Sequence, residues 1–255
     1  MSDWASESGH WYRPDGTPAY TLIGKNGRER ATTVRDAREQ GLLPSVTTII
    51  RCAAAPGLEK WKRDQLALAM ATLPKIEGET WDAFIARAAK DSEEQAAKAR
   101  EKGSAIHGEI EKYYRMTEVY LAYAAQVSAT AEVVEGWAGL QRWKTERSFA
   151  HKLGYGGKVD LHSDGWVIDF KTKEFNKDAL PKIYDEHLMQ LAAYRYGLQV
   201  TNARCASVFV STSEPGLATL MEASEDELWR GWLMFEALLT YYQAKNGLNG
   251  IRKAA

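Results

Sequence analysis

Two aspartates and a lysine lie in or beside two short apolar stretches, residues 159–162 and 166–170. Unpaired charge is costly in a buried strand, so Asp160, Asp169 and Lys171 call for a chemical explanation. Two carboxylates and a lysine can hold a divalent metal ion and stabilise the charge that develops on a phosphate. The alternative is a surface ribbon with solvated charges, which leaves the apolar stretches unexplained.

The two stretches predict a β-hairpin. Ser-Asp-Gly at 163–165 is a turn signal, and the flanking residues are rich in β-branched and aromatic types. Because side chains alternate along a strand, Asp169 and Lys171 should share one face and Ile168 and Phe170 the other. The remaining aspartate lies on the partner strand, close to the same end of the hairpin.

Two predicted helices carry further polar residues at a spacing of four. In a helix predicted over 91–115, Gly103, His107 and Glu111 line one face, and the glycine lets another group approach closely. In a helix over 185–198, Gln190 and Tyr194 are one turn apart. The alternatives are that His107 is not a ligand and that Glu111 faces solvent. For the other pair, Gln190 would lie at the surface and Tyr194 in the core.

The remaining pattern is mostly helical. Residues 33–40 predict a short helix before Gly41, and Ser45 or Thr47 could cap the next one. Further helices are predicted over 58–73, 79–87, 129–143 and 225–243, with strands over 146–153 and 206–211. In the first of these helices, the residues predicted to face inward are Trp61, Leu66, Ala69 and Met70. In the second, Trp81, Phe84 and Ile85 are predicted to share one face.

Four motifs in order resemble the PD-(D/E)XK nuclease superfamily, and more closely the RecB-type nucleases that include the mitochondrial genome maintenance exonuclease and phage exonucleases. They are KGSAIHGEIE, GKVD, IDFKTK and HLMQLAAYRYGL, with a fainter match in PSVTTII. Val159 stands where the superfamily name has proline, a position that varies among members.

The resemblance implies an α/β fold with a restriction-endonuclease-like core. That core has the order α-β-β-β-α-β and a central mixed sheet flanked by helices. Residues 103–255 would form this core and include a C-terminal helix. Residues 1–102 would be a mostly helical accessory region packed on the core.

The resemblance also implies roles for the site residues. Asp160, Asp169, His107 and the backbone carbonyl of Phe170 would bind Mg²⁺ or Mn²⁺, which suits oxygen ligands with one imidazole. Lys171 would orient the attacking water and stabilise the developing charge. The other predicted catalytic residues are Gln190, Tyr194 and Glu111. The predicted DNA-binding residues are Ser45, Thr47, Lys173, Lys177 and Lys182, for which a helix cap and a solvated loop are the alternatives.

The implied function is a metal-dependent exonuclease acting on linear DNA in phage or bacterial recombination or repair, with a recombination protein as a partner. The alternatives are a non-cleaving DNA-binding member of the superfamily, a structure-specific endonuclease, and a metal-dependent hydrolase with another substrate. The related iron–sulfur nucleases need four cysteines, whereas this chain has two.

The composition bounds these expectations. The chain of 255 residues is 45% hydrophobic and 26% charged, which is typical of a globular protein with a sizeable core. Its formal net charge of −1 requires any DNA-binding surface to be a local patch. Cys52 and Cys205 lack metal-ligand spacing and are expected to be reduced thiols of a cytoplasmic protein. We expect no membrane partner, because the sequence shows neither a bilayer-spanning run nor a signal-peptide pattern.

Overall fold

The computed structural model describes residues 9–54 and 56–248. Within them the strands are β1 (Trp11–Tyr12), β2 (Thr21–Ile23), β3 (Glu29–Ala31), β4 (Leu43–Pro44), β5 (Lys144–His151), β6 (Tyr155–Ser163), β7 (Trp166–Lys173), β8 (Arg204–Ser211) and β9 (Ala218–Ala223). The helices are α1 (Val34–Gln40), α2 (Val46–Ile50), α3 (Pro56–Thr72), α4 (Trp81–Tyr114), α5 (Ala124–Ala138), α6 (Asp185–Gly197) and α7 (Glu225–Asn246), with a 3₁₀ turn at Leu121–Tyr123.

A five-stranded sheet in the order β5-β6-β7-β8-β9 forms the centre of the protein. Neighbouring strands are antiparallel except β7 and β8, which are parallel and are connected through α6. A parallel pair needs such a crossover because the chain must return to the same end of the sheet. The protein is therefore α/β with a mixed sheet, and β9 is a strand that the sequence pattern did not predict.

Helices cover both faces of this sheet. Val167 packs with α6 and α7 in one buried cluster that includes Leu191 and Phe235. Ile168 and Phe170 belong to a second cluster, which α4 and α5 complete. The predicted alternation along β7 is therefore confirmed, and Asp169 and Lys171 lie on the same side as α6.

Helix α4 is one uninterrupted helix of 34 residues where the sequence predicted two. The acidic residues near Asp91 suggested the first turn of a new helix, but they lie in the middle of α4. One of them, Glu94, forms an i,i+4 ion pair with Lys90 at 3.8 Å. The domain boundary predicted after residue 102 lies inside α4, so the two predicted parts share an unbroken helix.

The N-terminal strands and short helices pack beside the sheet. The short helix predicted before Gly41 is present as α1: Thr33 caps it, and Gly41 ends it in the left-handed conformation. The Ser45 hydroxyl accepts from the backbone N–H of Thr48 and caps α2, while the Ser45 backbone forms a bridge to Gly156 of β6. This bridge connects α2 directly to the central sheet.

Several predicted inward positions are wrong. On α3, Trp61 is 41% and Met70 38% exposed, because this helix packs mainly against α4 and borders an open groove. On α4, Phe84 is buried, but Trp81 and Ile85 are exposed. No helix within residues 9–54 and 56–248 has both the length and the apolar character needed to cross a membrane.

Candidate active site

The hairpin of β6 and β7 places both aspartates where its two strands separate. Register pairs join the strands from the turn as far as Leu161 and Ile168. Two residues beyond Ile168, the Phe170 N–H donates to Asp160 Oδ2 at 2.8 Å. The side chain of Asp160 thus takes the place of a strand partner.

Strand β6 is irregular at the same point. Val159 packs in the cluster below α6, whereas Leu161, two residues later, packs in the cluster below α4. Opposite Asp160 on β5, Glu146 has φ of 52°, a left-handed conformation that a non-glycine residue adopts only at a cost in free energy. The regular alternation is therefore broken at Asp160.

His107 reaches this opening from α4. Its Nε2 lies 2.8 Å from the carbonyl oxygen of Phe170 and 3.7 Å from Asp160 Oδ2. One turn earlier, a Cβ on Gly103 would lie 2.5 Å from Thr172 Oγ1, so the glycine lets α4 approach β7 closely. This bears out the reason predicted for a glycine at that position.

A hydrogen-bonded chain continues from Asp169 toward α6. Lys171 Nζ lies 2.7 Å from Asp169 Oδ2 and donates to Gln190 Oε1 at 2.8 Å. Gln190 Nε2 donates to Asp169 Oδ1 at 2.7 Å and to the hydroxyl of Tyr194 at 2.9 Å. Asp169 is only 2% exposed, so this lysine and amide offset a carboxylate charge that would otherwise be unpaired.

Burial and neighbouring charges shift two groups in the site. Burial, together with the nearby carboxylate of Asp169, raises the pKa of Asp160 to about 6, although His107 and Lys171 oppose the rise. Burial, with the charges of both aspartates, also raises the pKa of the Tyr194 phenol well above its usual value. Tyr194 is therefore neutral near pH 7, and the charge of Asp160 is incompletely balanced by the side chains around it.

The donors around Asp160 fit a hard divalent cation. An imidazole nitrogen, a carboxylate oxygen and the Phe170 carbonyl oxygen lie together, and Asp169 supplies a second carboxylate beside them. A cation would also offset the incompletely balanced charge of Asp160. In the described part of the chain, no three His, Cys, Asp or Glu side chains are grouped as a ready metal site. The two carboxylate oxygens of Asp169 face Lys171 and Gln190.

These residues lie in an open groove of about 1290 Å³. Helices α3 and α4 form one wall, and β5, β6, β7 and α6 contribute the other. His107, Asp160, Asp169, Lys171 and Gln190 all line it, so the cluster is accessible from solvent.

The other predicted site residues are more scattered. Glu111 lines the groove one turn beyond His107 and pairs with Arg115 at 2.7 Å. Ser45 is buried in the cap of α2, and Thr47 beside it is half-buried. The remaining predicted DNA contacts are exposed at the end of β7 and in the loop after it; they are Lys173, Lys177 and Lys182.

Sequence reasoning missed two groove residues. Lys158 and Glu146 form an ion pair beside Asp160, and both line the groove. Lys158 belongs to the GKVD motif, so its place two residues before Asp160 was a usable signal. The position of the Glu146 side chain depends on its left-handed backbone conformation, which no residue pattern predicted.

Comparison with known proteins adds little to this geometry. No protein-family model and no curated protein matches the chain. Among solved structures, one titled "Crystal structure of SSO0001" is similar with a TM-score of 0.26 at 19% sequence identity. The similarity covers 48% of this chain and 57% of that one, so this chain spans little more than half the neighbour's length. At this level the neighbour does not define the fold.

Proposed function

We propose that this protein is a metal-dependent deoxyribonuclease of the PD-(D/E)XK superfamily that degrades linear DNA from its ends. The observation that carries the proposal is the convergence of His107, Asp160 and the Phe170 carbonyl beside the Asp169–Lys171 pair in an open groove. A metal-ligand set adjoining a lysine suits phosphodiester hydrolysis, because the metal can activate water and the ammonium can stabilise the developing negative charge.

The order of elements supports the superfamily. Helix α4, strands β5, β6 and β7, helix α6 and strand β8 follow one another as the resemblance predicts, with α5 inserted after α4. The motif residues lie on the elements expected for them: His107 on α4, Asp160 and Asp169 on the hairpin, and Gln190 on α6.

The metal ligands in this proposal are His107, Asp160, Asp169 and the carbonyl oxygen of Phe170. Mg²⁺ or Mn²⁺, when bound, lowers the pKa of a coordinated water and neutralises charge on the scissile phosphate. The backbone N–H of Phe170 holds Asp160 in place by donating to its carboxylate. The close approach of α4 to β7 at Gly103 fixes the height of His107 above the hairpin.

Lys171 acts on the reacting groups. Its ammonium donates to Gln190 and lies 2.7 Å from Asp169 as an ion pair, and an ammonium has three donors, so donor capacity remains for water or a phosphate oxygen. Gln190 bridges Lys171, Asp169 and the neutral Tyr194, and this fixes the direction of the ammonium. Gln190 and Tyr194 therefore position Lys171, which orients the water and stabilises the developing negative charge.

The charge of the groove favours DNA binding only together with a cation. Its lining includes five basic side chains and five acidic ones: Arg51, Lys62, Arg100, Lys158 and Lys171, and Glu93, Glu111, Glu146, Asp160 and Asp169. A bound divalent ion makes this balance positive and attracts the phosphate backbone. Metal binding and DNA binding are thus expected to reinforce each other.

Digestion of end-labelled linear DNA and covalently closed circular DNA tests the function. We expect the linear substrate to be degraded with Mg²⁺ or Mn²⁺, the circle to be spared, and a chelator to stop the reaction. Separate 5′- and 3′-labels give the polarity. DNA binding without cleavage would contradict the nuclease proposal, and efficient cutting of the closed circle would contradict degradation from ends.

A further inference from the structure

We propose that Lys158 provides a second phosphate-binding subsite in the groove, in which Glu146 holds the Lys158 ammonium in position. This inference rests on the proposed function, because its ligand is a backbone phosphate of the DNA being cut. The phosphate it binds belongs to a nucleotide beside the one attacked at Asp160.

The position of Lys158 along β6 supports an adjacent phosphate. Lys158 precedes Asp160 by two residues, so their Cα atoms are roughly 7 Å apart in an extended strand. That separation is comparable with the distance between successive phosphates in an extended nucleic-acid strand. Lys171 lies on the other strand of the hairpin and reaches toward α6, so the two lysines flank the carboxylates from different sides.

A second cation lies on the same side as Lys158. Arg51, at the end of α2, lines the groove as Lys158 does. Lys158 and Arg51 thus both place positive charge on the groove lining, although the chain as a whole has a net charge of −1.

The backbone conformation of Glu146 indicates that the Glu146–Lys158 ion pair is held in place at a cost in conformational free energy. A glutamate in mid-strand with φ of 52° is strained, and its carboxylate meets Lys158 inside the groove. Strain of this kind persists where the surrounding structure fixes a residue for a purpose, often at a binding site. The Lys158 side chain is 39% exposed, so its remaining donors can reach a ligand.

The test measures how cleavage of a labelled linear oligonucleotide depends on salt, from about 50 to about 200 mM KCl. Lys158→Ala should raise KM by on the order of tenfold with little change in kcat. It should also reduce the slope of log(kcat/KM) against log[KCl] by about 0.7 to 0.9, which corresponds to one lost phosphate contact. Lys158→Arg should restore the slope, because the cation is retained.

Lys112→Ala is the matched control. Lys112 also pairs with a glutamate, Glu109, at 2.7 Å, but neither residue lines the groove. Its removal should leave KM and slope unchanged. Glu146→Gln should keep the slope while raising KM severalfold, since the ammonium remains but is no longer held. Melting temperatures of all variants identify any that fail to fold.

The possible results distinguish a failure of the subsite proposal from a failure of the nuclease proposal. If the wild type cleaves DNA and Lys158→Ala keeps the wild-type slope and KM, the subsite is refuted and the nuclease stands. If the wild type binds DNA without cutting it, the same slopes are read from fluorescence anisotropy, and a reduced slope for Lys158→Ala supports the subsite alone. A wild type that neither binds nor cuts DNA overturns both.

Discussion

At the scale of single residues, the candidate site divides its two carboxylates between different partners. Asp160 accepts from a backbone N–H and faces His107, whereas Asp169 is enclosed by Lys171 and Gln190. The negative charge of Asp160 is incompletely balanced and suits a bound cation. Asp169 already has a cationic partner in Lys171. This difference gives separate expectations for the lysine and the histidine.

Lys171→Ala should keep metal and DNA binding but lose turnover by on the order of 10²-fold, the scale of one lost electrostatic stabiliser. Single-turnover cleavage and DNA-binding measurements on the same variant check this. Lys144→Ala is a suitable control because Lys144 is an exposed lysine of the neighbouring β5 and does not line the groove. Normal turnover, or a loss of metal binding, would contradict the role given to Lys171.

His107→Ala should raise the metal concentration needed for half-maximal activity, more for Mn²⁺ than for Mg²⁺, because imidazole is the softer ligand. Metal titrations of activity compare it with the wild type. His151→Ala serves as the control, since His151 packs against Tyr155 and Trp232 away from the groove. A lowered melting temperature with an unchanged metal midpoint would mean that His107 contributes packing and not a ligand.

At the scale of elements, the site depends on how closely α4 approaches β7. Gly103→Ala places a Cβ 2.5 Å from Thr172 Oγ1, so we expect destabilisation of about 1–3 kcal/mol and reduced activity as His107 is displaced. Thr172→Ala in the same chain should recover most of the loss, because the clashing oxygen is removed. Urea denaturation and activity check both variants.

Gly136→Ala on α5 is the control for helix propensity. A Cβ there meets nothing within 4 Å, so this change should be neutral or slightly stabilising. Equal effects at Gly103 and Gly136 would show that the close approach to Thr172 is unimportant.

Helix α1 gives a pH-dependent prediction. Asp36 accepts from both Nη atoms of Arg30 and from Thr33, and these partners, Arg30 first, hold the pKa of Asp36 well below its usual range. The folded state thus binds the Asp36 proton less tightly than the unfolded state does. Its contribution to stability is present above about pH 3.9 and is lost as the pH falls toward the folded value.

We therefore expect Asp36→Asn to lower the free energy of unfolding at pH 7 by ~1 kcal/mol, the scale of a helix cap. The difference from the wild type should shrink as the pH falls below about 4. Urea titrations of both proteins across this range measure it. A difference that stays constant with pH would contradict the assignment.

The hairpin was predictable from sequence because alternation and a turn signal act over a few neighbouring residues. Gly103 was also predictable, since its small size pointed to a close contact. The continuity of α4 was not, because acidic residues resemble a first turn whether or not the helix continues through them. Glu146 could not be predicted either, since its conformation depends on the break in pairing opposite Asp160.

At the scale of the whole molecule, a mixed sheet between two helix layers presents its polar residues where β6 and β7 part. Asp169 faces the α6 side, while His107 arrives from α4, on the opposite face. The groove between the α3–α4 wall and the sheet opens the place where β6 and β7 separate to an extended ligand such as a nucleic-acid strand. The N-terminal elements contribute Arg51 to the lining of the same groove.

The most direct test of the central claim compares Asp160→Asn and Asp169→Asn with the wild type on linear DNA in Mg²⁺ and Mn²⁺. Each change removes one negative charge with almost no change in shape. Asp164→Asn is the matched control, because Asp164 is an exposed aspartate in the turn of the same hairpin. The predicted result is that both site variants remain folded and lose cleavage, while Asp164→Asn cuts like the wild type. Full activity of either site variant at ordinary Mg²⁺ concentrations would contradict the assignment of this cluster as a nuclease active site.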